Sequence, residues 1–381
     1  MLLNKETLRF CVCVIVLSLS ATAHGADVKF DESGLKINSD SGSASVAIGG
    51  RIHFDNLRSG DELFGDETEV RRLRLDMTTK LGDNVRVKLD REFAPRRSGW
   101  RNAWIELRQN NIRLKLGQFV SPVSTEDLME SNDLAFPDRS LTASLSSGFR
   151  KGASLTYRGK EYSLIGAVMT NPISDSSRRD DGTSIIARGI AYPIRSSDEV
   201  LHFAVSAERR QLKNDAFSDI RSGHEISLRQ QRFLETDKIE NADNYTTLNA
   251  ETAYYKGQTL FQSQISHRQL SVEGKNQTAR AGYIQASYLF GEARRRYSRT
   301  SGAFGAIEPK SKSGAFEISA RLSELKIANV GSEKALSAAA SWYLTKNLRL
   351  TSALTHNSIT ENIQPKKLRG TSLQSRFQVR F

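Results

Sequence analysis

The chain has 381 residues and a formal net charge of +12. Both of its cysteines, Cys11 and Cys13, lie near the start, so the remaining residues can form no disulfide, thiolate nucleophile or cysteine metal site. After residue 23, no apolar run approaches the roughly 20 residues that a transmembrane helix requires. The basic balance indicates an anionic surface or solute as partner.

The first residues have the pattern of a secretory signal peptide. Lys5 and Arg9 precede the apolar run Phe10–Leu19, and Ala21-Thr22-Ala23 supplies the small residues that a signal peptidase reads. The run is too short to span a bilayer. We therefore predict a signal peptide over residues 1–23 and an exported protein, for which nucleic acid is a poor partner.

Beyond the leader, the dominant periodicity is two. In Val85–Asp90, Ile112–Gly117 and Val70–Thr79, apolar side chains alternate with charged ones. Successive side chains of a strand point to opposite faces, so each segment has one apolar and one charged face. Arginine and lysine clustered in the middle of the charged faces favour a water-filled lumen over the solvent face of a soluble β-sandwich.

Connections of two lengths separate these segments. Short turns occur at Gly82-Asp83, Asn110-Asn111, Gly159-Lys160, Gly257-Gln258 and Thr345-Lys346-Asn347. Long polar connections occur at Asp55–Thr68, Val120–Gly148, Leu212–Tyr245 and Thr300–Ser313. Short turns at one end and long loops outside the cell are typical of an outer-membrane barrel. We predict an all-β, transmembrane antiparallel β-barrel of 16 strands over residues 44–381, after a short periplasmic segment at 24–43.

The final segment, Ser372–Phe381, alternates apolar and polar residues and ends in phenylalanine. Leu373, Phe377 and Val379 share the face of Phe381. A closing strand of this kind is similar to the signal read by the outer-membrane assembly machinery, which we expect to bind it.

Short blocks in a characteristic order make the chain resemble the phosphate-selective porin O and P family over nearly its whole mature length. The blocks are Ile48–Ile52, Val70–Leu75, Arg91–Ala94, Leu116–Pro122 with Glu126, Ser131 and Phe136–Leu141, Glu235–Asp237, Gly282–Tyr288, Gly291-Glu292, Gly314–Glu317 and Trp342–Leu344.

The resemblance implies a sixteen-stranded homotrimer whose central passage is lined by arginines and narrowed by inward-folded segments. Arginine stays charged at any relevant pH, and its planar fork binds phosphate or carboxylate bidentately. Strict alternation places Arg71 on the same side as the apolar Leu73, which makes it the least regular of the candidates. The predicted pore-lining residues are Arg51, Arg71, Arg72, Arg86, Arg139, Arg221 and Lys310. The expected partners are small anions, outer-membrane lipid and lipopolysaccharide.

Three departures from the family pattern concern selectivity rather than fold. Asp127 stands where a phosphate-binding member would offer lysine, Arg101-Asn102 where an acidic residue is usual, and Ala303-Phe304 where a basic residue precedes the phenylalanine. We therefore expect a general anion preference, with phosphate as one candidate solute.

Other functions remain as alternatives. The histidines after the leader are single and lack metal-binding spacing such as His-Glu-x-x-His, so we expect neither an enzyme nor a metal or other cofactor. A nonspecific porin and an adhesive or structural barrel, which would use its long loops, are the remaining classes. A sugar channel should show an aromatic stripe, whereas the polar faces here carry arginine.

Overall fold

The computed structural model describes residues 26–31, 34–60, 63–173, 182–213, 217–226, 232–236, 239–272, 275–362 and 366–381. The predicted signal peptide lies outside the described residues. The first eleven strands are β1 (Ala26–Asp31), β2 (Gly34–Ser39), β3 (Ala44–Ser59), β4 (Glu67–Leu81), β5 (Val85–Glu92), β6 (Gly99–Gln109), β7 (Ile112–Val120), β8 (Phe149–Arg158), β9 (Tyr162–Thr170), β10 (Gly182–Arg195) and β11 (Glu199–Leu212).

The later strands are β12 (Phe217–Ser218), β13 (Ile239–Glu240), β14 (Ala242–Lys256), β15 (Thr259–Val272), β16 (Lys275–Phe290), β17 (Ala293–Tyr297), β18 (Phe304–Pro309), β19 (Ala315–Ile327), β20 (Gly331–Tyr343), β21 (Leu348–Glu361) and β22 (Lys366–Arg380). Helical structure in the described residues consists of one α-turn, α1 (Thr125–Leu128), and two 3₁₀ turns at Pro95–Arg97 and Leu141–Leu145. Within these same ranges, no helix has both the length and the apolar character needed to cross a membrane.

Within the described residues, sixteen strands close into one antiparallel barrel, which confirms the predicted architecture. They are β3–β11, β14–β16 and β19–β22. Each pairs with its neighbour along the chain, and β22 pairs with β3 from Ser372↔Ser59 to Arg380↔Arg51. β1 and β2 form a hairpin whose second strand pairs with the first half of β3, from Leu35↔Ile48 to Asn38↔Ser45.

The two faces of the wall differ as the alternation predicts. On β11, Phe203 and Val205 are exposed on the outside, whereas His202 and Arg210 are buried on the inside. Apolar side chains in contact with lipid and polar side chains in the lumen are the arrangement of a membrane barrel. An aromatic pair, Phe316 and Trp342, stacks on the outer face near the short-turn end, with ring centroids 5.4 Å apart.

One long connection lies at an end of the barrel that we did not predict. β16 ends and β19 begins at the short-turn end, so segment 291–314 is at the periplasmic side, and the expectation that Thr300–Ser313 lies outside the cell is wrong. The segment folds into the lumen as the β17–β18 hairpin. There Tyr297 Oη lies 2.8 Å from His202 Nδ1, and the Phe304 side chain is buried.

A second inward element enters from the opposite end. Residues 121–148, here called the inward loop, connect β7 to β8 and pack inside the barrel, where most of their side chains are buried. Arg349 from β21 donates to the carbonyls of Asn132, Leu134 and Ala135 at 3.2, 2.7 and 3.2 Å. At this point the wall therefore holds the inward loop through its backbone.

Candidate anion pathway

A β-bulge in β4 turns two consecutive arginines into the lumen. The register between β3 and β4 shifts at this point, and Arg71 is the extra residue between Val70 and Arg72. An extra residue in one strand interrupts the alternation of faces. As a result Val70 and Leu73 are both exposed on the outside, at 40% and 41%, while Arg71 is only 6% exposed. Strict alternation would place Arg71 on the outer face with Leu73, and the bulge explains why it faces the lumen instead.

Between this wall and the inward loop lies a cavity of about 590 Å³. Nine basic side chains and three acidic ones line it. The basic residues are Arg51, Arg71, Arg72, Arg74, Lys88, Arg97, Arg101, Lys115 and Arg139; the acidic residues are Asp90, Asp127 and Glu130. Such a cluster inside low-dielectric walls focuses the field and concentrates anions.

Some of these cations are neutralised by neighbouring carboxylates. Arg74 donates to Glu92 at 3.0 Å, and Arg51 pairs with Glu130 at 2.5 Å. Lys88 lies 3.6 Å from the same Glu130 carboxylate. Arg51 and Lys88 hold the pKa of Glu130 well below its usual range, so this carboxylate stays charged.

Arg72 and Arg101 differ from these residues. The nearest carboxylate oxygen to Arg72 belongs to Glu92 at 3.7 Å, beyond hydrogen-bonding distance, and Glu92 is already bound by Arg74. Arg101 donates to the backbone carbonyl of Arg97 at 2.6 Å, and among the described residues it has no carboxylate partner. Their charges therefore act on the cavity with little direct compensation.

Arg139 combines two roles. Its guanidinium donates to the carbonyls of Glu126, Asp127 and Met129 at 2.9, 3.3 and 2.8 Å, which closes the first turn of the inward loop. Because these acceptors are neutral, Arg139 keeps its charge at the cavity wall. It is a positioning residue for the loop as well as a cation facing the pathway.

Asp127 lines the same cavity. Its carboxylate accepts a hydrogen bond from Ser124 Oγ at 2.9 Å, and its backbone N–H donates to that Oγ at 3.1 Å. Burial raises the pKa of the Asp127 carboxyl, and Arg139 opposes this effect. The acidic departure noted in the sequence thus lies in the wall of the main cavity.

A second cavity of about 290 Å³ lies beside the first, toward the outer end. The two share Ala143 and Ser146 in their walls, and the second adds Arg268 and the predicted Arg221. Arg221 forms ion pairs with Asp219 and, at 3.4 Å, with Glu235. The cationic lining therefore extends past the inward loop.

Of the seven predicted residues, the structure brings Arg51, Arg71, Arg72 and Arg139 together in the main cavity and places Arg221 in the second one. Arg86 lies outside both, on the inner face near the short-turn end, opposite Glu106 in the register. Lys310 is exposed at the end of β18 and lines neither. The cavity residues that sequence reasoning missed are Arg74, Lys88, Arg97, Arg101 and Lys115. Three of them, Arg74, Lys88 and Lys115, lie on the charged faces of the alternating strands, and this alternation could have identified them as lumen-facing.

Among the described residues, no group of three or more histidine, aspartate or glutamate side chains is placed to hold a metal ion.

Comparisons with known proteins agree with this arrangement. The profile of the family Phosphate-selective porin O and P matches residues 46–381. Porin O of Pseudomonas aeruginosa is 20% identical over 371 residues, covering 86% of this chain and 84% of that protein.

Solved structures share the fold at low identity. Outer-membrane expressed OmpT of Vibrio cholerae superposes with a TM-score of 0.58 and 10% identity, over 89% of this chain and 98% of that one. The anion-selective porin from Comamonas acidovorans superposes with a TM-score of 0.57 and 11% identity, over 89% of this chain and 100% of that one. The outer membrane channel DcaP of Acinetobacter baumannii superposes with a TM-score of 0.54 and 12% identity, over 90% of this chain and 99% of that one. Given the family match, the chain belongs to the phosphate-selective porin O and P family and is an outer-membrane porin.

Proposed function

We propose that this porin conducts small anions passively through the cavity beside the inward loop. The observation that carries the proposal is the excess of basic over acidic side chains in the lining, nine against three. Two unit charges 4 Å apart in water interact by about 1 kcal/mol, so several such contacts favour anion over cation entry many-fold. The proposed pathway residues are Arg51, Arg71, Arg72, Arg101 and Arg139.

Phosphate is one candidate solute. Arg72 offers a guanidinium fork that phosphate and carboxylate oxygens can bind, whereas the neighbouring Arg71 is paired with Asp138 at 3.0 Å. Asp127 opposes a multiply charged anion more strongly than a singly charged one. We therefore propose a general anion preference in which phosphate passes but is not bound selectively, because conduction needs sites weak enough for the ion to leave.

The same proposal includes a homotrimer in the outer membrane, reached after cleavage of the leader at residues 1–23, with the barrel over 44–381. OmpT of Vibrio cholerae, which shares the fold, is known in a trimer form. We also propose that the assembly machinery binds the strand that ends at Phe381.

A nonspecific porin is the second candidate, since paired cations such as Arg51 and Arg74 contribute less to selectivity. An adhesive barrel would bind partners through its long loops, and the basic lining of the two cavities favours a channel over it.

An enzymatic barrel is the remaining class, and the geometry around His224 argues against it. Ser222 Oγ donates to the Glu333 carboxylate, not to the imidazole. His224 Nδ1 lies 2.9 Å from Glu333, and its Nε2 accepts the N–H of Phe233 at 3.2 Å. With both ring nitrogens engaged, the imidazole is not placed to activate Ser222.

The reversal potential in planar bilayers under a potassium chloride gradient tests the proposal. Wild-type channels should be anion-selective, and added phosphate should lower the chloride current only slightly. Arg72→Gln/Arg101→Gln should reduce the anion-to-cation permeability ratio several-fold, because these two charges are the least compensated.

The matched control is Arg209→Gln/Arg369→Gln, which removes two exposed arginines from the outer face. Its permeability ratio should equal that of the wild type. A cation-selective or nonselective wild type, or equal effects of the two double variants, would contradict the proposal. Strong block by phosphate would instead indicate a phosphate-selective site despite Asp127.

A further inference from the structure

The outer face of the barrel carries two like charges directly opposite each other. Arg280 on β16 pairs in register with Lys326 on β19, and His267 on β15 is the neighbour of Arg280 on the other side. Side chains directly opposite on one face have Cβ atoms about 4.5–5.5 Å apart, and like charges in such pairs are destabilising. This row lies near the extracellular ends of its strands, facing away from the lumen.

Nearby carboxylates do not fully compensate this pair. The Glu324 carboxylate lies 3.3 Å from Lys326 and 3.7 Å from Lys334, so a single negative charge is shared between two lysines. Arg280 is exposed and, among the described residues, has no carboxylate within ion-pair distance. An anion bound between Arg280 and Lys326 would remove the repulsion.

Directly below the charged row is an apolar groove of about 860 Å³. Its floor passes over Gly282, which has no side chain and whose register neighbours are Ile265 on β15 and Glu324 on β19; Leu322 lies one pair further along, opposite Ile284. Ile265 and Ile284 are 68% and 61% exposed on its sides. A groove with this lining on the lipid-facing wall suits an acyl chain.

Above the charged row the groove continues into a polar recess of about 370 Å³ at the extracellular rim. Arg280 and Lys326 line both spaces, and the recess adds the amides of Asn329 and Asn362 and the hydroxyl of Ser332. From membrane to rim the order is thus apolar groove, two cations, then neutral hydrogen-bonding groups.

We propose that this groove binds a phosphate-bearing lipid of the outer leaflet. Its acyl chain would lie over Gly282, its phosphate would bind between Arg280 and Lys326, and its sugar or glycerol hydroxyls would contact the polar recess. Arginine and lysine at the membrane surface recognise phosphorylated headgroups in this way. Charge complementarity favours this occupant over a second copy of the chain, which would have to neutralise the same cations.

Native mass spectrometry of the purified full barrel in detergent tests the proposal, with bisphosphorylated lipid A and its dephosphorylated form as probes. We expect the phosphorylated probe to bind roughly tenfold more tightly, since a hydrogen bond to a charged group contributes at least about a factor of ten. Arg280→Gln/Lys326→Gln should abolish that difference. Arg209→Gln/Arg369→Gln removes the same number of charges outside the groove and should preserve it.

The groove itself needs a separate variant. Gly282→Leu fills the floor and should weaken both probes while leaving their ratio high, with barrel integrity checked by heat-modifiable mobility on a gel. Equal binding of the two probes to the wild type, or equal loss in both charge variants, would overturn the proposal. Thiol cross-linking of Leu322→Cys between copies in native membranes would also overturn it, because a second copy would then occupy the groove.

Discussion

The two sides of the lumen use arginine differently. Along β3–β6, Arg72 and Arg101 face the cavity and have no hydrogen-bonded carboxylate among the described residues. Around the rest of the barrel, four inward-facing arginines hold the inward segments by hydrogen bonds to carbonyls and buried carboxylates. These structural arginines are Arg188, Arg321, Arg349 and Arg376.

Arg188 and Arg321 show the second use in detail. Arg188 donates to the Val123 carbonyl and to both oxygens of Glu251, at 2.8, 2.8 and 3.0 Å. Arg321 donates to Glu225 at 2.5 and 3.1 Å. An arginine whose guanidinium is bound to carboxylates and carbonyls of the protein contributes little to a passing anion. A count of lumen arginines therefore overstates the charge that a solute meets.

The largest effect should come from a structural arginine. Arg376 binds both oxygens of Asp55 at 2.7 and 2.6 Å and donates to the Pro137 carbonyl. Arg376→Leu leaves a buried carboxylate without its partner, which should lower the free energy of unfolding by about 3–5 kcal/mol. The midpoint of urea unfolding in detergent micelles measures this loss.

Arg72→Leu is the matched substitution on the cavity side. It should lower the free energy of unfolding much less than Arg376→Leu does, because no carboxylate loses a hydrogen bond when Arg72 is replaced. Asp55→Leu/Arg376→Leu should recover part of the loss. Similar destabilisation by Arg72→Leu and Arg376→Leu would remove the distinction between the two sides.

A smaller effect should follow from deleting Arg71. The deletion joins Val70 to Arg72, restores regular pairing with β3 and removes one cation from the cavity. Near 4 Å in water one unit charge contributes about 1 kcal/mol, so the anion-to-cation permeability ratio should fall by roughly fivefold or less. Reversal potentials measure the change.

Arg71→Gln keeps the bulge and loses the same charge, so it should match the deletion. Asp138 loses its 3.0 Å partner in both variants but keeps a hydrogen bond from Gln374 at 3.1 Å. If the deletion prevents barrel assembly and Arg71→Gln does not, the bulge is required for folding rather than for placing a charge in the pathway.

The smallest effect should be a dependence on pH. Burial and the nearby Glu130 raise the pKa of Asp133 in the inward loop to about 6. The carboxyl also faces Arg380 at 3.4 Å, with Arg51 and Arg349 further away. Below this pKa the group is neutral, so lowering the pH from about 7.5 to about 5 should raise the anion preference, by less than about twofold.

Glu130 should not contribute to that change, because its depressed pKa keeps it charged over the whole range. Asp133→Asn should give a smaller change with pH at the higher preference, and Asp127, whose pKa is also raised by burial, should account for what remains. A wild-type ratio that falls on acidification would show that another group controls the charge of the pathway.

The barrel could be predicted from sequence because its determinants are local. Period-two alternation places side chains on faces, turn chemistry marks the strand ends, and the terminal Phe381 marks the last strand. Arg71 was the exception. Alternation places it outside, and only the register against β3 reveals the extra residue.

The division of the arginines could not be predicted in the same way. Arg349 and Arg376 lie about as far from the inward loop in sequence as the chain allows, at separations of 214 to 217 and 239 residues from the carbonyls they bind. Alternation shows that they face the lumen but not what they meet there. The direction of segment 291–314 was missed for a related reason, since it depends on counting every strand before it.

The closing seam between β3 and β22 joins the first and last strands of the barrel. Gly50 and Phe381 exchange backbone hydrogen bonds at 2.8 and 3.1 Å, and a side chain at Gly50 would collide with the Arg74 carbonyl and the Phe381 ring. The seam joins residues more than 300 positions apart, so it forms late and slowly. Asp55 and Arg376 lie on its two sides, and Arg376 also holds Pro137. Closure of the barrel thus adds the Pro137 contact to an inward loop that Arg188, Arg321 and Arg349 hold from other strands.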